Sequence, residues 1–151
     1  MDRMIKMNEE LVQAMNKVLG NTFVMYYKTH SYHWNVEGRS FFADHTFLEE
    51  IYTEVYGAVD AIAEHIRQLD AFAPTSLMKL KQYSAIAEDD TVVGSTQMIS
   101  NLLTANDVVL LTLMQAYKLA EAAGELGASN FLQDRITAHQ KHRWMLKATL
   151  K

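Results

Sequence analysis

The chain has 151 residues, enough for one domain with a sizeable core, and it has no cysteine, which excludes disulfides, thiolate metal sites and a cysteine nucleophile. A formal net charge of −4 argues against nucleic-acid binding through charge alone, while one proline and six glycines favour long helices over a turn-rich β fold. The N-terminus is too polar for a secretory signal and the apolar run VVLLTLM is too short to span a bilayer, so we expect no membrane association and a cytoplasmic location.

The first predicted helix begins at Asn8, a favourable N-cap, and runs to about Asn35, with Gly38 able to end it. Its apolar stripe comprises Leu11, Met15, Val18, Thr22 and Met25. A second helix follows Ser40 and continues until Pro74 stops it. Its stripe comprises Ile51, Val55, Ala58, Ile62, Ile66 and Leu69. Both stripes recur at helical spacing, which predicts that they face a common core.

Residues 75–94 form a long connection, in which TSLMKLKQY predicts a short helix. A third long helix starts near Ser95 and ends at GELGAS, and a fourth starts near Ser129. The third stripe comprises Met98, Leu102, Ala105, Val109, Leu113 and Ala116, and the fourth comprises Leu132, Ile136 and Trp144. An up-down bundle needs no such connection, whereas a ferritin-like bundle uses one. We therefore predict an all-α, ferritin-like four-helix bundle with a short extra helix between helices two and three.

The second helix also carries four potential metal ligands: His45, Glu49, Asp60 and Glu64. At about 100° per residue they share one face, nearly opposite the apolar stripe. Any surface helix has such a polar face, so solvent exposure is the simpler interpretation. However, the ligands form two i,i+4 pairs, a spacing at which side chains converge. The same face carries residues typical of a packed surface: Tyr52, Thr53, Tyr56, Gly57 and Ala63.

The separation of the two pairs indicates a site shared between chains. Glu49 and Asp60 lie about 16 Å apart along a helix, too far for one small metal cluster. Two antiparallel copies related by a twofold axis near residues 54 and 55 would place position 49 opposite position 60 of the other copy. His33, before the NVEG turn, is able to approach His45 of its own chain. This mixed nitrogen and oxygen set suits Fe(II), Mn(II) or Zn(II).

A metal site inside the bundle is not predicted. A conventional di-iron bundle carries Glu-x-x-His on two helices facing its core. None of the six histidines here has a glutamate three residues before it.

Several segments, taken together, resemble the Dps family, the mini-ferritins, over residues 5–149. They are HWNVEG, FFADH with its histidine twelve residues after His33, DAIAEHIR and RITAHQKHRWMLKATL. The resemblance implies that residues 1–151 form a single ferritin-like, Dps-type domain and that the chains assemble into a hollow homo-dodecamer. It implies a ferroxidase that oxidises Fe(II), preferably with hydrogen peroxide, stores the ferric mineral in the shell and so protects against oxidative damage.

Carried over by position, the resemblance implies catalytic metal ligands His33, His45 and Glu49 from one subunit, with Asp60 and Glu64 from its partner. The expected metal is iron, as one or two ions per site, with zinc and manganese as alternatives. For Trp34, which follows a ligand, two interpretations stay open: a radical sink close to the iron, or a packing anchor.

The sequence departs from the family pattern at several places. Glu49 stands where aspartate is usual, and His65 where arginine is frequent. The pore region 124–134 has few acids, with Gly127 and Asn130 at positions where acids are usual, which puts the route of iron entry in doubt. Because only Arg3 and Lys6 precede the first predicted helix, we expect no lysine-rich N-terminal tail of the kind that binds DNA in some members.

Two other functions are alternatives to ferroxidase activity. One is a DNA-compacting shell with secondary metal chemistry, but twelve chains of charge −4 would carry about −48, which opposes phosphate binding. We expect DNA binding to be weak or absent. The other is a purely structural shell. All five ligand positions keep side chains that can bind a metal, which argues against it.

The remaining histidines and the second tryptophan have simpler interpretations. His30 is expected to be a partly exposed helical residue, although it could add a ligand. His139 and His142 lie near a helix C-terminus, where the helix dipole favours a cationic imidazole. Trp144 is expected in the core, and the nine methionines are expected to fill gaps there.

Overall fold

The computed structural model describes residues 2–151. Within that range the chain is all-helical: α1 (Arg3–Asn35), α2 (Phe41–Gly57), α3 (Val59–Gln68), α4 (Leu77–Tyr83), α5 (Ser95–Ala122) and α6 (Leu126–Thr149). Helices α2 and α3 are two segments of one predicted helix, and α4 is the short helix predicted in the long connection. The ferritin-like four-helix bundle with one extra short helix is therefore confirmed.

Helix α1 begins five residues before the predicted Asn8. The Asp2 carboxylate accepts a hydrogen bond from the Met4 backbone N–H at 2.7 Å, which caps the helix. Asn8 instead lies inside α1 and donates to the Leu69 carbonyl at 3.1 Å. This bond ties the first turns of α1 to the end of α3.

The second predicted helix is interrupted at Ala58 and ends earlier than expected. The Ala58 N–H bonds to the Val55 carbonyl at 3.1 Å, a tighter turn than the α-helix, directly after Gly57 with its low helix propensity. Helix α3 stops at Gln68, before Pro74, because Asp70 adopts a left-handed φ of 61°. The interruption leaves the predicted apolar stripe intact, since all six of its residues are buried.

The predicted stripes of the first and third long helices are also buried, whereas the prediction for the fourth was partly wrong. Helix α6 begins at Leu126, three residues before Ser129, and Gly124 makes the preceding turn with a φ of 71°. Trp144 is 65% exposed. The buried stripe of α6 is instead Leu132, Arg135, His139, His142 and Leu146. Arg135, His139 and His142 therefore occupy buried positions, although only apolar residues were predicted to be buried on this helix.

The methionines divide between the core and the surface. Met15, Met25 and Met98 are buried, as expected for residues that fill gaps. Met4 and Met78 are strongly exposed, so the expectation holds for only part of the set.

The long connection is held against α1 by polar contacts. The Ala85 N–H donates to Asn21 Oδ1 at 2.8 Å, and Lys28 Nζ donates to the Ala87 carbonyl at 2.8 Å. Lys28 also pairs with Asp89 at 3.2 Å, and the Tyr32 hydroxyl donates to the same carboxylate. These bonds explain how a connection of this length follows α1 without a hydrophobic core of its own.

Across residues 2–151, no helix combines the length and the apolar character that a membrane span requires.

Gly20 lies where α4 contacts α1, and it provides a test of this packing. A Cβ at this position would come within 2.6 Å of the Leu80 carbonyl oxygen and 2.8 Å of Tyr83 Cβ. Because backbone has to move, Gly20→Ala should lower the free energy of unfolding by about 1–2 kcal/mol, even after the gain in helix propensity. Guanidinium unfolding at matched concentration measures this. The control is Gly127→Ala, where a Cβ meets nothing within 4 Å. Equal unfolding midpoints for the two variants would contradict the packing argument.

Candidate metal centre

His33 and His45 form an imidazole pair across the α1–α2 turn. Their rings stack with centroids 3.7 Å apart and an interplanar angle of 16°. His33 Nδ1 lies 2.8 Å from the His45 carbonyl, and His45 Nδ1 lies 2.8 Å from the His33 carbonyl. A carbonyl only accepts, so each Nδ1 carries a proton, and Nε2 of each ring is the nitrogen left to bind a metal. Metal-binding histidines in proteins are held in this way.

The local sequence explains why the two rings meet. His33 lies in the last turn of α1, and the chain reverses over residues 36–40, where Gly38 has a φ of 122°. The Phe41 N–H bonds to the Gly38 carbonyl at 3.1 Å and starts α2 immediately. His45 then stands in the second turn of α2, with the Phe41 ring stacked on its other side at 4.9 Å.

The predicted carboxylates lie on the surface of the single chain. Glu49 is exposed on α2, and Asp60 and Glu64 are exposed on α3, beyond the interruption at Ala58. A side-chain hydrogen bond between Asp60 and Glu64 raises the pKa of Glu64 above its usual range, and the neighbouring negative charge adds to this effect. A raised pKa is expected for one of two acids that converge with no cation between them.

The imidazole pair and the acid pair remain separate within one chain. Among residues 2–151, no three histidine or acidic side chains are close enough together to hold a metal ion. The structure thus brings together His33 with His45, and Asp60 with Glu64, and it does not join the two pairs.

Aromatic side chains surround the imidazole pair. The Tyr52 ring lies 5.2 Å from the His33 ring, and the half-buried His30 stacks on Tyr52 at 3.8 Å. Burial, and then the neighbouring His33, lower the pKa of His30. Trp34 lies 4.3 Å from His30 and is 55% exposed in the single chain.

Comparisons with known proteins place this chain in a family. A family described as the Ferritin-like domain matches residues 12–151. General stress protein 20U of Bacillus subtilis is 33% identical over 147 residues, covering 95% of this chain and 99% of that protein. The DNA protection during starvation protein of Brevibacillus brevis is 32% identical over 146 residues, covering 95% and 97%. The chain belongs to the Dps family of ferritin-like proteins.

A solved Dps structure supports the same assignment. The crystal structure of DPS from Vibrio cholerae O1 is described as a member of a broad superfamily of ferritin-like diiron-carboxylate proteins. It matches with a TM-score of 0.91 and 32% identity, covering 97% of this chain and 92% of that chain. The likeness to the Dps family inferred from sequence segments is thereby confirmed over the whole bundle.

The interior of this Dps-family bundle holds a polar network that the sequence analysis missed. Arg135 on α6 donates to both carboxylate oxygens of Glu54 on α2, at 2.5 and 3.0 Å. The His142 Nε2–H donates to the same carboxylate at 2.8 Å. These hydrogen bonds and charges outweigh the effect of burial and bring the pKa of Glu54 far below its usual range. The sequence carries one signal for this network: the stripe from Leu132 to Leu146 recurs at steps of 3, 4, 3 and 4, the spacing of a buried helix face.

His139 extends this network and is neutral, so the expectation of a cationic imidazole was wrong for this residue. Its Nδ1–H donates to Asn106 Oδ1 at 2.8 Å, and its Nε2 accepts from Arg135 Nη2 at 3.1 Å. Burial, followed by the positive charge of Arg135, brings the pKa of His139 well below its usual range. The ring is fully buried between α5 and α6.

The neutral His139 predicts a dependence of stability on pH. Below about pH 6.5 the unfolded chain protonates this histidine and the folded chain does not, so stability falls as pH falls, by up to about 1.4 kcal/mol per pH unit. His139→Gln keeps one donor and one acceptor but does not titrate. Guanidinium unfolding at pH 7.5, 6.5 and 5.5 should give a steeper decline for the unmodified chain than for the variant. Parallel declines would mean that His139 is protonated in the fold.

Proposed function

We propose that this Dps-family chain is a ferroxidase and iron-storage protein whose metal sites are shared by two copies. The observation that carries the proposal is the reciprocal hydrogen bonding of His33 and His45, which leaves Nε2 of each ring as the nitrogen available to a metal. A structural histidine pair would not require both rings in the same metal-competent tautomer. Residues 1–151 would act as one ferritin-like domain.

The chemistry follows from the ligand types. Neutral imidazoles and carboxylates suit Fe(II), and carboxylates stabilise Fe(III) further because they neutralise more charge. Iron is the substrate and cargo, taken up as one or two ions per site, and the same ligands would accept zinc or manganese. Glu49 has one methylene more than the family's usual aspartate, so it would reach further from α2. Peroxide takes two electrons, which matches two Fe(II) ions and avoids the release of hydroxyl radical.

The shared site is supported by the separation of its two halves. In an antiparallel pair of chains, His33, His45 and Glu49 of one copy would meet Asp60 and Glu64 of the other, twice per dimer. All three carboxylates are exposed at the surface of the single chain, where a second copy could reach them.

Assembly into a larger shell, a homo-dodecamer by likeness to the family, would bury apolar surface. Large apolar residues are more than half exposed on three different helices: Leu77, Met78, Leu111, Leu126 and Trp144. Exposed apolar residues at this density are typical of surfaces that are covered on association. The ferric product would be stored as a mineral in the interior of such a shell.

Protection of DNA would then be chemical. The name of the Brevibacillus relative refers to DNA protection during starvation, and removal of Fe(II) and peroxide in the cytoplasm achieves this without contact. A shell that binds and compacts DNA is the alternative, and the net charge of −4 per chain gives it little support. Salt-sensitive retardation of DNA in a gel at low ionic strength would favour that alternative.

Stopped-flow Fe(II) oxidation tests the proposal. With peroxide under anaerobic conditions we expect oxidation well above the protein-free rate, at two Fe(II) per peroxide, and slower oxidation with oxygen alone. Light scattering of the same sample should report the mass of the assembly. Rates equal to those without protein for both oxidants would refute ferroxidase activity, and zinc and manganese binding would then be measured.

A further inference from the structure

The outward face of α2 and α3 carries an exposed residue one helical turn beyond each end of the proposed ligand set. Phe42 lies three residues before His45 and is 82% exposed. Arg67 lies three residues after Glu64 and is also exposed. At about 100° per residue, both positions fall on the same helical face as the proposed carboxylate ligands. Because this face points away from the bundle core, any cover for Phe42 and Arg67 has to come from another chain.

Arg67 is already held in position within the single chain. Its Nη1 donates to the Ala71 carbonyl at 2.9 Å, and its guanidinium lies over the Phe72 ring, 4.4 Å from the centroid. Phe72 is itself 81% exposed. A guanidinium is planar, so stacking one face on Phe72 leaves the opposite face open to a second aromatic ring. The chain thus presents an ordered cation at the end of α3 and an exposed ring at the start of α2.

The register of the proposed twofold pair brings these two ends together. Position 49 faces position 60 of the other copy and position 45 faces position 64, so position 42, three residues further out, faces position 67. Crossing helices separate toward their ends, and Phe42 and Arg67 have long side chains that can span a wider gap. Arg39 and Asp70 are the next facing pair outward, and these exposed residues have opposite charges. The surface is therefore complementary to itself in both chemistry and charge.

We propose that Arg67 of each copy is enclosed between two aromatic rings in the dimer: Phe72 of its own chain and Phe42 of the other copy. The inference rests on the proposed function, since it uses the pairing of chains that the shared metal site requires. A twofold dimer has two such contacts, each one helical turn outside a metal site. A cation between two rings is attracted to both faces, so these contacts would fix the register at which the two ligand halves meet.

The absence of cysteine from the chain makes the contact testable by disulfide cross-linking. In Phe42→Cys/Arg67→Cys, the two thiols of one chain would lie roughly 35–40 Å apart along α2 and α3, so only a disulfide between chains can form. Oxidation of the metal-free protein with diamide should give a covalent dimer and no larger product on a denaturing gel without reductant. The matched controls, Phe42→Cys alone and Arg67→Cys alone, should run as monomers.

A double-mutant cycle tests the nature of the contact. Phe42→Leu and Arg67→Met keep apolar bulk but remove the ring or the charge. Each should raise the protein concentration at which the assembly dissociates, measured by sedimentation velocity on dilution, by about tenfold. The combined variant should dissociate no more readily than either single variant. Arg3→Met removes an exposed positive charge at the start of α1 and should behave as the unmodified chain. Effects that multiply in the combined variant would show that the two side chains do not touch.

The outcomes separate this inference from the proposed function. If the double-cysteine chain stays monomeric on oxidation, or forms a ladder of trimers and larger products, positions 42 and 67 do not face each other about a twofold axis and the inference is wrong. Rapid iron oxidation by the unmodified chain would still support ferroxidase activity in that case. If the covalent dimer forms but iron is oxidised no faster than without protein, the contact stands and the ferroxidase proposal fails.

Discussion

Oxidation of Fe(II) by peroxide should fall to the protein-free rate in the double variant Asp60→Ala/Glu64→Ala. These two carboxylates converge on the surface of α3 and would supply the acid half of every site, so their loss leaves two neutral imidazoles and Glu49. Three ligands without the bridging carboxylates would bind Fe(II) weakly and stabilise Fe(III) poorly. Stopped-flow absorbance with peroxide measures the rate. The control, Glu9→Ala/Glu10→Ala, removes the same charge from exposed positions on α1 and should retain the activity of the unmodified chain.

Mixing two inactive variants tests whether the site is shared. His45→Ala lacks the imidazole half, and Asp60→Ala/Glu64→Ala lacks the acid half. In a dimer of one chain of each kind, one site combines both defects and the other combines both intact halves. Random pairing should therefore restore about a quarter of the sites. Co-expression of differently tagged chains, followed by double purification, provides the sample. Absence of any recovery in folded mixed assemblies would show that each site lies within one chain.

Glu54→Ala should lower the free energy of unfolding more than Gly20→Ala does. It leaves the buried Arg135 guanidinium without its carboxylate and His142 without its acceptor. Breaking a fully buried ion pair costs about 3–5 kcal/mol, and because the Glu54 side chain is 38% exposed we expect about 2–3 kcal/mol. Guanidinium unfolding at one fixed protein concentration measures the loss. Glu50→Ala, at the exposed neighbouring glutamate, should change stability by less than about 0.5 kcal/mol.

The charge of Glu54 can be separated from its hydrogen bonds with Glu54→Gln. Hydrogen bonds from His142 and Arg135 lower the pKa of the carboxylate, so its contribution to stability is complete above the unfolded value of about 4.3 and declines as pH falls below it. The stability difference between the unmodified chain and Glu54→Gln should therefore be constant from pH 7 to 5 and shrink below about pH 4. A difference that disappears near pH 6 would identify a histidine as the titrating group.

The apolar periodicity was sufficient to predict the fold because the predicted stripes of three of the four long helices consist of apolar or small residues, and all of them are buried. It failed on α6, where Arg135, His139 and His142 take buried positions and Trp144 is exposed. A polar residue is predicted at the surface unless its partner is known, and the partner Glu54 is 81 residues away in sequence. The helix ends were misplaced for local reasons: the cap at Asp2 lies outside the apolar pattern, and the left-handed Asp70 has no signal as strong as proline.

The spacing of residues in the sequence was enough to choose the candidate ligands, but it was not enough to predict their geometry. Residues 45, 49, 60 and 64 share a helical face by arithmetic alone, and the likeness to the Dps family selected the same positions. The reciprocal bonds of His33 and His45 depend on carbonyl positions at a turn, which periodicity does not describe.

The buried guanidinium of Arg135 has a consequence for the way ferritin-like bundles can diverge. A divalent ion entering the bundle interior would meet a fixed positive charge in a medium of low polarity, where repulsion is strong. The guanidinium neutralises the Glu54 carboxylate within the bundle, so this partly buried acid needs no metal as its counter-ion. Glu54 and His139 both contact the same guanidinium nitrogen, and His142 reaches the same carboxylate oxygen. Replacement of Arg135 alone would therefore leave the imidazoles of His139 and His142 and the carboxylate of Glu54 with no cation between them.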